Sequence, residues 1–337
     1  MPDDIKSLNV ILRNPRKGWP TFDALDNNWV HLDTEHIEKI EKLINKNRIC
    51  IIRGAEGRGK TVLARLFGFK RRKEKNWDVF VIEVTESKSD IDSICNTICS
   101  IEDNKTMFII ENAHTSHEIS LKLVETANNS QKASFIFTAR KIFSEENLDG
   151  VIENPLEGWI ENGWYVDLSP DLKTILEIIK KFAFEKNRKY TLSSEDESWI
   201  RKEFGGEMLN LRRLRFYLEA WNDKSDAPLS SIKREDILSN IYKTYIKSLN
   251  PNLQDMLIKV AAVFQFDVNF NGSNFDKNLL EGLCNNGVIT PLPGHFYRLQ
   301  HSTDAAYIVE AEASLMAKKS PDDFTSQILK DYTAEKT

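Results

Sequence analysis

One octapeptide restricts the folds open to this chain more than any other feature. Gly54-Ala55-Glu56-Gly57-Arg58-Gly59-Lys60-Thr61 fits the pattern G-x-x-x-x-G-K-T without exception. Ahead of it, Ile49 to Ile52 is a continuous apolar run, as in a strand covered on both faces of a parallel sheet. Behind it, Val62, Leu63 and Leu66 recur at helical spacing. Glycines let such a turn curl so that successive N–H groups point at one centre, and the following helix adds the positive end of its dipole. Lys60 brings a mobile charge to the outer phosphates of a nucleotide, and the Thr61 hydroxyl can ligate Mg2+. Gly54, Gly57, Arg58, Gly59, Lys60, Thr61 and Val62 are therefore the expected nucleotide-binding residues.

Phosphate chemistry on a P-loop calls for a second strand that ends in an acid near the metal. Met107-Phe108-Ile109-Ile110-Glu111 has that form, with the acid at the edge where open α/β sheets bind ligands. Thr61 and Glu111 are the candidate metal residues. Asn112 stands where many such ATPases carry a further acid to polarise water, and an amide cannot accept that proton. Either Glu111 serves as the base while magnesium is held in another way, or hydrolysis is slow. A third strand, Ala133 to Arg140, ends in Thr138-Ala139-Arg140, where a permanently charged Arg140 suits a γ-phosphate sensor. Glu111, Asn112 and Arg140 form the candidate catalytic set. Asp78 to Thr85 and Tyr165 to Leu168 supply two more strands, with helices expected at Ile91–Ile101 and Ile119–Ala127.

From Pro170 onward the pattern is helical. Helices are expected over Leu172–Phe184, over Ser194–Phe204 with Ser194 as N-cap, and over Leu209–Trp221, whose Arg212, Arg213 and Arg215 read as a solvated face. Asp223 to Ser231 is polar and reads as a linker. Helices over Lys233–Ser248, Asn252–Phe264 and Phe275–Asn285 precede a β-hairpin around Pro291 to His295, the ingredients of a winged helix. The third helix mixes Asp276, Lys277 and Glu281, so it reads as a packing element rather than a DNA reader.

The order of these parts resembles the signal-transduction ATPases with numerous domains (STAND), AAA+-related switch proteins of immunity and cell-death signalling. The resemblance spans about residues 25 to 310. It rests on the P-loop, the strand ending at Glu111, Thr138-Ala139-Arg140 as the sensor strand, Gly205-Gly206 before the amphipathic helix, and His301 after the wing. Ser302 stands where the family has an Asp beside that His. The resemblance implies an α/β P-loop NTPase parallel sheet with helices on both faces, followed by a small helical lid and a winged helix. The corresponding boundaries are 1–28 for an N-terminal extension, 29–169 for the nucleotide domain, 170–224 for the lid, 225–310 for the winged helix and 311–337 for a helical tail. It also implies ATP/ADP and Mg2+ as cofactors, with His301 touching ADP. Exchange of ADP for ATP would drive a conformational change and a nucleotide-dependent homo-oligomer. Family members add effector and sensor parts; here partners would supply them, or the chain is the core of a longer protein.

Composition narrows the alternatives. The 337 residues carry 46 Lys and Arg against 51 Asp and Glu, a net charge of −5, where non-specific nucleic-acid binders carry a basic excess. That weighs against the second architecture of this kind, an AAA+ winged-helix DNA-binding ATPase resembling origin-recognition or helicase-loader proteins. A third option, a small-molecule kinase, lacks a use for the helical C-terminal half. No apolar run approaches the roughly 20 residues that span a bilayer. Cys50, Cys95, Cys99 and Cys284 form no framework and read as free thiols of a reducing cytoplasm, with Cys95 and Cys99, four apart on a helix, read as buried.

Overall fold

The computed structural model describes residues 34–55, 57–84, 91–113, 116–140, 155–168, 172–185, 193–204, 211–222, 224, 227–266, 268–292, 295–299 and 302–336. Contacts divide the chain into two compact units. The first holds the described residues up to Lys181 together with Leu211, and the second the described residues from Phe182 onward except Leu211.

The first unit is built on the apolar runs. Helix α1 (Thr34–Asn47) leads into β1 (Ile49–Gly54), and α2 (Lys60–Lys75) follows the glycine-rich turn. Then come β2 (Asp78–Glu83), α3 (Ile91–Cys99), β3 (Thr106–Glu111), α4 (His117–Asn129), β4 (Ser134–Arg140), the short α5 (Glu157–Glu161), β5 (Tyr165–Asp167) and α6 (Leu172–Glu185). The strands form one parallel sheet in the order β2-β3-β4-β1-β5. Thus β4 lies between the strand that enters the P-loop and the strand that carries Glu111.

Strand alternation sorts the apolar residues into two cores. Ile49, Ile51, Phe108, Ile110, Phe135 and Phe137 pack with Ile91 and Ile98 of α3, Ile119 and Leu123 of α4 and Trp159 of α5. Cys50, Ile52, Met107, Ile109 and Ile136 pack with Ile37, Ile40 and Ile44 of α1 and Leu63, Leu66 and Phe67 of α2. A row of rings crosses the first core, with Phe80, Phe108, Phe135 and Phe137 stacked at 5.4 to 6.5 Å and Trp159 edge-on to Phe137 at 5.1 Å. The apolar runs are continuous because helices cover both faces of the sheet.

The second unit begins with α7 (Ser194–Phe204) and α8 (Leu211–Asn222), the latter counted here from Arg212. The cap of α7 is Ser193, one residue before the expected Ser194. Its hydroxyl accepts from the Asp196 N–H at 3.1 Å, while the buried Asp196 carboxylate accepts from the Ser193 N–H at 3.0 Å and from the Ser230 N–H at 3.0 Å. The C-terminal end of the expected linker, Ala227 to Ser231, is likewise held in place. Trp221, fully buried, donates its indole N–H to Ala227 O at 2.7 Å, and Leu229 is buried in a short 3-10 turn, Leu229–Ser231. Of the arginines expected on a solvated face, Arg213 lies over Phe204 and Tyr217 at 5.8 Å and binds Glu203 at 2.6 Å, and Arg215 binds Glu219 at 2.5 Å. The side chain of Arg212 lies outside the described residues.

Further along, α9 (Arg234–Ile241) runs on through one π-helical turn, Tyr242–Ile246. It is followed by α10 (Pro251–Phe264), β6 (Phe270–Asn271), α11 (Lys277–Asn285), the hairpin β7 (Thr290–Leu292) and β8 (Phe296–Arg298), α12 (Ser302–Ala311) and α13 (Pro321–Lys336). The expected hairpin gains a third strand, since the antiparallel order is β6-β8-β7. Pro291 lies on the edge strand β7, where its missing N–H costs no ladder bond. The final helix is clamped by Tyr332. Its ring packs on Phe270 at 5.0 Å and Phe275 at 5.6 Å, and its hydroxyl accepts from the Asn271 N–H at 3.1 Å.

Cys50 is buried, whereas Cys95 and Cys99, expected buried, are half-buried and exposed, because α3 turns only one face to the sheet. No helix among the described residues is long and apolar enough to cross a membrane.

Tyr332→Ala removes a buried ring and its hydroxyl bond. It is expected to cost about 3–5 kcal/mol and to open α13 to protease before the rest of the second unit. Urea denaturation with limited proteolysis checks both.

Candidate functional site

The P-loop takes its shape from three glycines. Gly54 ends β1 where β5 closes in: Leu168 donates its N–H to Arg53 O at 2.8 Å, and a Cβ on Gly54 would stand 2.7 Å from Leu168 O. Gly57 and Gly59 have φ of 70° and 89°, the left-handed region that side chains disfavour. Gly59 is the N-cap of α2, and the first intrahelical bond runs from the Leu63 N–H to Gly59 O at 2.9 Å. The glycine-capped first turn of α2 thus stands at the positive end of the helix, a position that favours anions. Lys60 Nζ donates to Gly54 O at 3.0 Å and Ala55 O at 2.8 Å, so its charge sits over the loop.

The sheet edge beside the loop is braced by charge. Arg53 binds Asp167, its β5 neighbour in register, at 2.5 and 3.0 Å and lies 3.6 Å over the Tyr165 ring. Arg140 is the register partner of Gly54, so β4 delivers it to the mouth of the loop. Thr138 faces inward instead: its buried hydroxyl accepts from the Asn112 N–H at 3.1 Å, and its carbonyl accepts from the Ala113 N–H at 2.9 Å. Asn112 adopts φ of 58°, a left-handed conformation that its short amide tolerates, and it turns the chain off β3.

Glu111 lies on the sheet face that α2 covers. There it meets a partner that the sequence reading passed over. Arg65 donates from Nε to one Glu111 oxygen at 2.6 Å and from a terminal nitrogen to the other at 2.9 Å, and the two side chains are 5% and 0% exposed. The only sequence signal was a charge set among Leu63, Ala64, Leu66 and Phe67, four residues after Thr61. Burial pushes the Glu111 carboxyl up to about 7; the Arg65 guanidinium pulls it back and the Glu83 charge, in register on β2, adds to the rise.

The structure thus brings Gly54, Gly57, Arg58, Gly59, Lys60, Thr61, Val62 and Arg140 together around one turn. Asn112 serves the β3 turn, and Glu111 gives both oxygens to Arg65. His301 lies outside the described residues. Thr61, in the first turn of α2, fits a magnesium ligand beside phosphate; Glu111, with both oxygens paired, does not fit as it stands. Among the described residues no three His, Cys, Asp or Glu side chains gather into a metal cluster. Mg2+ on a P-loop is held largely by phosphate and water and does not require one.

A parallel sheet with the P-loop strand beside β4, and a glycine-capped helix presenting Lys60 and Thr61, defines a P-loop NTPase. The model of a family described as novel STAND NTPase 3 matches residues 31–154. The matched segment contains the P-loop, Glu111 and Arg140. Among solved structures, the chain is similar to the Walker-type ATPase PABY2304 of Pyrococcus abyssi, at 13% identity over 83% of this chain and 96% of that one, with a TM-score of 0.42. A DNA replication initiation factor matches at 18% identity over 88% and 93%, with a TM-score of 0.43. Domain III of the replication initiation protein DnaA of Thermotoga maritima matches at 16% over 65% and 95%, with a TM-score of 0.42. Among curated proteins there is no match.

The position of Glu111 carries a pH signature. A carboxyl with its pKa raised from 4.5 to about 7 binds more protons in the folded chain than in the unfolded one. Its stabilising contribution is therefore complete below about 4.5 and is lost as pH rises through about 7. Between about pH 5 and about pH 8 the wild type is expected to lose more stability than Glu111→Gln, as read by urea denaturation at each pH.

Proposed function

We propose that this chain is an ATP/ADP-binding switch of the STAND type with slow ATPase activity. Nucleotide exchange drives a conformational change and oligomerisation in signalling or defence. The observation that carries the reading is the P-loop. The glycine-capped start of α2, Lys60 over the loop and Arg140 as the register partner of Gly54 support one anion site.

Each group has a task in this reading. The loop N–H groups and Lys60 bind the phosphate oxygens, and Arg140 senses the terminal phosphate. Thr61 supports magnesium, which when bound neutralises charge on the outer phosphates. Asn112 offers no proton-accepting group, and Glu111 is held by Arg65, so neither residue at the end of β3 offers a free base to an attacking water. Slow turnover follows, and it suits a switch that must remain in one nucleotide state. A bound nucleotide biases two conformations only by its difference in affinity for them. The helices with the β6-β8-β7 sheet would form the winged helix. On α11, Lys277 pairs with Glu281 at 3.4 Å, which leaves little net charge for a DNA backbone. Salt-dependent duplex binding would favour the replication-type ATPase instead.

Lys60→Ala is expected to weaken ADP and ATP binding about 10- to 100-fold, the worth of one charged hydrogen-bonding group (~1.5–3 kcal/mol), without loss of fold. Isothermal titration calorimetry of both proteins checks it. Unchanged affinity would place the nucleotide elsewhere. Native mass spectrometry with ADP and with a non-hydrolysable ATP analogue reads the oligomer: one subunit count in both states would remove the switch.

A further inference from the structure

We propose that Arg65 is a positioning residue that holds Glu111 out of the magnesium shell of a bound nucleotide. The inference rests on the nucleotide-binding reading above. Thr61 and Arg65 are four residues apart on α2 and so share a helix face. Glu111 follows Met107 and Ile109 on the side of the sheet that α2 covers. The acid thus meets a face bearing Thr61 in the first turn and Arg65 one turn deeper, and it is Arg65 that it binds.

The geometry of the pair explains why it holds. Both guanidinium contacts are short, at 2.6 and 2.9 Å, and occupy both carboxylate oxygens. The side chains are sealed from water, so opening the pair would strand two buried charges. Glu83 stands beside Glu111 in register, and its charge makes an uncompensated Glu111 costlier still. Hydrated Mg2+ dehydrates reluctantly and is served by phosphate oxygens, water and Thr61, so one metal–carboxylate contact does not recover that loss. Arg65 takes the place of the metal as the cation of Glu111. The metal of the nucleotide then couples to the protein through α2 rather than through β3.

The test is the magnesium coupling of ADP binding: the ratio of ADP affinities in excess Mg2+ and in excess EDTA, by calorimetry. Glu111→Gln should leave this ratio within about twofold of wild type, because the acid is not a ligand. Arg65→Gln frees the carboxylate and should raise the ratio about tenfold, and the double variant Arg65→Gln/Glu111→Gln should bring it back. Circular dichroism confirms folding of each variant. If Arg65→Gln does not fold, the Glu111→Gln result decides alone. A tenfold fall in the ratio for Glu111→Gln would overturn the inference, as would an unchanged ratio in folded Arg65→Gln. Absence of ADP binding in both buffers would overturn the nucleotide reading, and this inference with it; a lost ratio with ADP still bound overturns this inference alone.

Discussion

Arg65 and Glu111 join the helix of the phosphate loop to the middle of the sheet by a two-point charged contact with no access to water. Buried pairs of this kind contribute little net stability, because desolvation offsets attraction, but separating them is costly. Their geometry is also directional. A bidentate contact fixes the rotation of α2 about its axis, and with it the positions of Lys60 and Thr61 at the helix start. Apolar packing of Leu63, Leu66 and Phe67 holds the helix on the sheet, yet it tolerates sliding that a two-point contact does not.

A second brace acts on the strand side of the loop. Arg53, Asp167 and Tyr165 tie β1 to β5, and Leu168 approaches Gly54 too closely for a side chain. The loop is therefore held at both ends, which favours binding an anion without rearrangement. The Asn112 turn, pinned on Thr138, closes the same edge. A polar edge above two apolar cores is what an open parallel sheet provides at the C-terminal ends of its strands.

Local features were legible in the chain itself. The apolar runs marked four of the strands to within one or two residues and the P-loop marked its turn, since both depend on neighbours a few positions away. The same local logic misplaced details set by burial. Ser193 caps α7 in place of Ser194 because Asp196 reaches back to it and across to Ser230. Ala227 is held in place because its carbonyl satisfies the buried Trp221 indole. Arg213 read as solvated, yet two aromatic rings and Glu203 enclose it.

The sequence by itself determined that a strand, a glycine-rich turn and a helix would build a phosphate cradle at Gly54 to Thr61. Hydrogen-bond geometry and backbone freedom over eight residues need no distant partner. Only the tertiary structure decided which charges that cradle lives among. Arg65 meets Glu111 across 46 residues and Arg53 meets Asp167 across 114, through the order in which the strands lie side by side. That order is set by how whole faces of the sheet bury their side chains, and no local pattern encodes which acid a given arginine will find.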